Sequence, residues 1–227
     1  MGAIPEYLLV AVALKGSEDL EWIEELARGI KFEADLAGLN VIGGDLSRSE
    51  NIVLSMTAIG HCDSPVTRSG AKAGDGIYLS SLTGWSAAGL AILDSKFNST
   101  SEACAVALRE YKNPTIDYGY LSSGATSMSD VSDALVIQAA QMADSSKVAF
   151  KFDLSKIEAS AEFVELEKLA RELAADVWKW VFAGGEDHAL LATGRDLPGI
   201  LIGEVISGAG IQNVPAEVEN SAWQHFK

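Results

Sequence analysis

Cysteine, histidine and positive charge are all scarce in this chain, and each shortage excludes a class of protein. Cys62 and Cys104 are the only cysteines among 227 residues. A disulfide framework and a cysteine-built zinc site are therefore not expected, and a reduced cytoplasmic protein is the natural reading. There are three histidines, and His61, beside Cys62, has no ligand-spaced companions, which argues against zinc. Lysine and arginine number 17 against 32 acidic residues, a formal charge of -15. So acidic a chain repels nucleic-acid phosphate and offers no basic stripe. No apolar run approaches the roughly eighteen residues of a membrane span. The opening Met1-Gly2-Ala3-Ile4-Pro5 lacks the features of a secretory leader, and Glu6 stands where a myristoylation motif wants Ser or Thr. Neither a Walker loop nor a Gly-x-Gly-x-x-Gly fingerprint occurs, which removes the commonest nucleotide folds. Partners should therefore be small molecules, not nucleic acid or membrane.

Against these absences stands Met128-Ser129-Asp130-Val131-Ser132-Asp133-Ala134-Leu135. It sets two carboxylates and a hydroxyl where a β-like run turns into a helix. Such groups are costly to bury unpaired among apolar neighbours. They suit a hard cation such as Mg2+, or the N–H groups of a helix start. Gly43-Gly44-Asp45 and Gly184-Gly185-Glu186-Asp187 read as further acidic, glycine-flanked turns. Together they point to metal-assisted phosphate chemistry, in which cations let an acidic site accept anions.

Tyr7 to Leu14 reads as a buried strand, followed by Ser17 as a helix cap and an apolar face from Leu20 to Ala37 at steps of three and four. Gly38 is placed to end that helix. Val41-Ile42 and Ile52 to Ile59 read as strands, with a hinge at Pro65. Beyond it, strands are expected at 77–79, 148–152, 190–192 and 200–206. Helices are expected at 86–93, 101–111, 132–142 and 163–174. Alternating strands and helices imply an α/β, two-layer architecture, with domains at 1–66 and 67–227.

Several side chains can carry chemistry. Asp45, with Ser47 and Arg48 following, can serve phosphate binding, although Gly and Asp also dominate ordinary turns. Asp130 and Asp133 are balanced between metal or substrate contact and structural roles. Arg68, opening the loop Arg68-Ser69-Gly70-Ala71-Lys72-Ala73-Gly74-Asp75, is a bidentate phosphate clamp or a surface ion pair, where Lys72 acts only as a point charge. Trp178, Trp180 and Phe182 are a wall for a flat ring or a packing cluster. His188 reads first as a turn residue.

In this order the segments resemble thiamine-monophosphate kinase, of the PurM-like superfamily that includes aminoimidazole ribonucleotide synthetase. The matching motifs are Gly43-Gly44-Asp45, Arg68 to Asp75, Ser86-Ala87-Ala88-Gly89-Leu90, Met128 to Leu135, Gly184 to Leu191 and the ending Trp223-Gln224-His225-Phe226. The resemblance implies a two-domain kinase fold in which residues 1–66 are the remainder of an N-terminal ATP/Mg-binding and dimerisation domain. Roughly ninety residues that precede this point in the family, the better part of a small domain, have no counterpart here. It implies phosphoryl transfer from ATP to thiamine monophosphate, Mg2+ as cofactor and a homodimer. Arg68, Asp130 and Asp133 would be catalytic. Gly44, Asp45, Arg48, Arg68 and Ser132 would bind ATP or phosphate. Glu186, Asp187 and Trp223 would bind substrate, and Asp45, Asp130 and Asp133 would hold metal. Ser81, Ser129, Ala134 and the pair His188-Ala189 depart from the family pattern. Other readings are a different ATP-dependent enzyme of the superfamily, or a non-catalytic remnant that binds a phosphorylated ligand.

Overall fold

The computed structural model of this chain describes residues 1–122 and 124–218. It divides into two compact units, Gly2–Pro65 and the chain from Val66 onward together with Met1.

The Gly2–Pro65 unit contains β1 (Ile4–Leu14), α1 (Leu20–Leu36), β2 (Asn40–Arg48) and β3 (Val53–His61). The strands order β2-β1-β3, with β1 parallel to β2 and antiparallel to β3. A parallel pair needs a crossover, and α1 supplies it. The start of α1 differs from expectation. Ser17 does not cap it; the N-cap position falls on Asp19, which makes no side-chain bond. The Glu18 carboxylate instead gathers the N–H groups of Lys15, Gly16 and Ser17 at 2.8–3.1 Å, which lowers its pKa. Gly38 (φ +73) follows the helix end as expected.

The larger correction concerns Gly43-Gly44-Asp45, which is not a turn but the middle of β2. Gly44 has φ +157, and a Cβ there would lie 1.8 Å from the Val10 carbonyl oxygen. The glycine is needed because β1 and β2 meet too closely at this point for any side chain.

The second unit contains β4 (Gly76–Leu79), α2 (Trp85–Ser95), α3 (Glu102–Lys112), β5 (Ser127–Val131), α4 (Leu135–Ser146) and β6 (Ala149–Phe152). There follow α5 (Leu154–Glu158), α6 (Ala161–Glu172), α7 (Val177–Ala183), β7 (Ala189–Gly194), β8 (Ile200–Ile206) and β9 (Gly210–Gln212). The six-stranded sheet runs β5-β7-β4-β8-β6-β9, antiparallel except for β6 with β9. Helices packed against it enclose Val131, Leu135, Phe150, Phe152, Leu166 and Phe182, all at most 1% exposed. Sequence periodicity missed α7 because its Trp-Lys-Trp-Val-Phe run is apolar on nearly every side. That segment resolves the aromatic question in favour of packing: Phe152 and Phe182 meet edge to face at 5.0 Å, and Trp178 packs on Phe163 at 4.7 Å. Small residues in α2 permit close approach to α3, where a Cβ on Gly89 would lie 2.2 Å from the Ala107 carbonyl oxygen.

Cys62 is exposed and Cys104 buried, both as free thiols. Among the described residues, no helix is long and apolar enough to cross a membrane.

Candidate functional site

The second unit brings together motifs far apart in sequence at one end of its sheet. β5 ends at Val131, and the chain turns through Ser132 and Asp133 before α4 begins at Leu135. The helix therefore starts later than its periodicity suggested, and neither aspartate caps it. The N-cap position is Ala134, in extended backbone, whose N–H is taken by the Gln138 side chain at 3.1 Å. Gln138 also donates to Asp133 Oδ2 at 3.4 Å. The Asp130 side chain is 41% exposed, so its charge is not buried without compensation.

The Gly184–His188 segment lies directly on this turn. Glu186 N–H donates to the Ser132 carbonyl at 2.7 Å, and His188 N–H to the Val131 carbonyl at 2.9 Å. A Cβ on Gly185 would lie 2.6 Å from the Asp133 carbonyl oxygen, and one on Gly184 would lie 2.4 Å from the Trp180 carbonyl oxygen. The double glycine thus admits the close approach of three backbone segments. Glu186 and His188 take φ values of +65 and +54, strained backbone of the kind that gathers at functional sites. His188 also links the motifs through its ring, with Nδ1 3.9 Å from Asp130 and Nε2 3.5 Å from Glu186. Its sequence position alone gave no sign of this placement.

Asp187 turns inward. One carboxylate oxygen receives Gly84 N–H at 2.7 Å and the other Ser86 N–H at 2.9 Å. An acid distant in sequence thereby supplies the cap that α2 lacks from its own residues. Burial nevertheless outweighs these bonds and pushes its pKa up from 3.8 to about 6.

These segments line a cavity of about 510 Å3 that includes Ser86, Ser132, Asp133, Gly184, Gly185 and Glu186. Two carboxylates, hydroxyls and backbone amides in one cleft can bind a cation and a phosphorylated ligand. The remaining candidates stand on other segments of the chain. Arg68 sits on the loop before β4, and its carbonyl is bonded by Ser146 at the C-terminal end of α4, whereas Asp133 lies at the N-terminal end. Those 12 residues span about 18 Å, so the Arg68 backbone is not part of the Asp133 turn. Gly44, Asp45 and Arg48 belong to β2, where the alternation of side chains sends Asp45 and Arg48 to opposite faces. Trp223 lies outside the described residues. Among the described residues, no group of three or more His, Cys, Asp or Glu side chains forms a ready metal cage.

An acidic turn and a double-glycine segment closing on one cavity give this mixed α/β chain a candidate ligand-binding site. Residues 1–62 match the model of the AIR synthase related protein, N-terminal domain. Over the longer span, the chain is 31% identical to a thiamine-monophosphate kinase of Archaeoglobus fulgidus, covering 99% of this chain and 73% of that protein. It is likewise 31% identical to one of Corynebacterium glutamicum, covering 85% of this chain and 60% of the relative. AaThiL complexed with AMPPCP and TMP has a similar structure, with a TM-score of 0.87 and 27% identity over 99% of this chain and 75% of that one. The chain belongs to the thiamine-monophosphate kinase family. It spans about 60% of the length of the Corynebacterium relative.

Proposed function

We propose that this chain carries out Mg2+-dependent transfer of the ATP γ-phosphoryl group to thiamine monophosphate, giving ADP and thiamine diphosphate. The observation that carries this reading is the convergence of Ser86, Ser132, Asp133 and Glu186 on one cavity. It is supported by the likeness to a protein complexed with AMPPCP and TMP.

Phosphoryl transfer to a phosphate needs alignment and charge neutralisation more than covalent help, and the acceptor oxygen is already anionic, so no general base is required. In this reading Asp130 and Asp133 are metal ligands of the second unit, and Asp45 is a metal ligand of the Gly2–Pro65 unit. Hard carboxylate oxygens fit Mg2+, which commonly takes one or two of them and completes its shell with water and substrate phosphate. Bound there, the cation would neutralise charge on the transferring phosphoryl oxygens. Arg68 grips phosphate as a bidentate donor and Ser132 adds a contact in the second unit, and Gly44 and Arg48 are phosphate-binding residues of the Gly2–Pro65 unit. Glu186 orients the acceptor, and Asp187 holds the α2 start that lines the cavity.

We assign the Gly2–Pro65 unit to nucleotide and metal binding and to self-association as a homodimer. Its exposed apolar side chains, among them Leu46 at 71% and Ile42 at 56%, support a surface covered by another protein face.

The test is magnesium-dependent formation of thiamine diphosphate by the full chain. Asp130→Asn should lower turnover by at least about tenfold at saturating Mg2+, the scale of a lost charge-stabilising contact. An unchanged rate would remove Asp130 from the mechanism. Calorimetric binding of thiamine monophosphate with no turnover would favour a phosphorylated-ligand binder instead.

A further inference from the structure

Residues 68–71 form neither helix nor strand, yet this stretch has a specific anchor. Ser146, the last residue of α4, donates its hydroxyl to the Arg68 carbonyl at 3.2 Å. The same oxygen accepts the N–H groups of Gly70 and Ala71, each at 3.2 Å. One donor and two acceptor sites exhaust what a hydroxyl can offer, and all are spent on this loop.

The flanks are pinned separately. Met128 N–H donates to the Thr67 carbonyl at 3.0 Å. The Asp75 carboxylate takes the Lys72 N–H at 2.9 Å and the Thr126 hydroxyl at 2.8 Å. Gly70 has φ +131, and a Cβ there would lie 2.4 Å from the Thr126 carbonyl oxygen. The loop is therefore pressed against the approach to β5, and between its flanks Ser146 holds it.

We propose that Ser146 is the positioning residue for Arg68, an inference that rests on reading Arg68 as a phosphate clamp. A bidentate guanidinium contact demands a defined origin and direction for a long side chain. Holding the Arg68 carbonyl and the N–H groups of Gly70 and Ala71 removes backbone freedom that binding would otherwise have to restrict. Ser146 itself need not touch the ligand.

The experiment titrates the full chain with inorganic triphosphate and Mg2+ by calorimetry, with turnover measured in parallel. Ser146→Ala should weaken triphosphate binding about fivefold, the scale of a lost hydrogen-bonding group, with the thermal midpoint moved by no more than about 2 °C. Ser146→Thr keeps the hydroxyl and should stay near the unmodified affinity. In Arg68→Ala the added Ser146→Ala change should cost nothing more, because the anchored side chain is gone. Full additivity, unchanged affinity in Ser146→Ala, or no loss in Arg68→Ala would each overturn the inference. The expected affinity pattern without thiamine diphosphate formation would reject the kinase reading and support the anchoring role. Turnover with a Ser146→Ala affinity equal to that of the unmodified chain would do the reverse.

Discussion

The two units of this chain are built from similar proportions of apolar residues but bury them to very different degrees. In Gly2–Pro65 the buried apolar side chains are Leu8, Leu14 and Ala34, and every residue of β2 and β3 is exposed. The second unit encloses a continuous cluster that runs from Ala71 to Val218. The difference follows from architecture. A three-stranded sheet with a single helix has too little covering layer for its apolar residues, whereas six strands with several helices close around a core. The second unit has the packing to hold side chains rigidly, and the clearest cavity with convergent polar groups lies there. The first presents the apolar strand surface that a further protein layer would need.

The sharpest test of this contrast is truncation of large side chains in each unit. Phe182→Ala should cost about 3–5 kcal/mol in chemical denaturation, because it empties a fully enclosed site. Leu46→Ala, at a position 71% exposed within the single chain, should stay within about 0.5 kcal/mol when measured at protein concentrations too low for self-association. Comparable losses would mean that β2 is buried in solution. Gly44→Ala should cost more than about 1 kcal/mol in the Gly2–Pro65 unit, because the positive φ is strained for alanine and its Cβ would lie 1.8 Å from the Val10 carbonyl oxygen. Hydrogen exchange of the β1 and β2 amides would register it.

The smallest effect concerns pH and belongs to the second unit. Asp187 has its pKa raised by burial to about 6. Between the unfolded value near 3.8 and about 6, the folded state holds a proton that the unfolded state has released. Its contribution is therefore full below pH ~4 and is lost as pH rises through ~6. Asp187→Asn should flatten that part of the stability profile in urea titrations at successive pH values. An unchanged slope would mean that the carboxylate is ionised throughout.

Much of the fold was legible in the sequence because periodicity and punctuation reported it. The α1 face and the Gly38 stop are local signals, and so are strands such as β4 and β8. Boundaries slipped where a local signal competed with a distant partner. Ser17 looked like a cap, but Glu18 collected the neighbouring N–H groups. Gly43-Gly44 looked like a turn because glycines usually mark one, yet here they serve the crowding of β1 on β2. The α7 segment is apolar nearly all round, which leaves no amphipathic stripe to read.

The candidate site divides along the same line. Its residue types were visible in the sequence: acids beside glycines, with hydroxyls nearby, in a chain too acidic to bind phosphate without help. Which of them share a cavity was not visible. Asp133 and Glu186 line one cavity because Glu186 and His188 donate backbone hydrogen bonds to the carbonyls of Ser132 and Val131, an arrangement no spacing rule contains. Asp187, expected as a substrate ligand, accepts the backbone N–H groups of Gly84 and Ser86 at the start of α2, a partnership its sequence position does not show. Sequence alone determined the chemistry available to this protein, because side-chain type and local order are written residue by residue. Tertiary structure alone decided which groups meet and which are engaged by backbone, because those contacts join segments as much as a hundred positions apart.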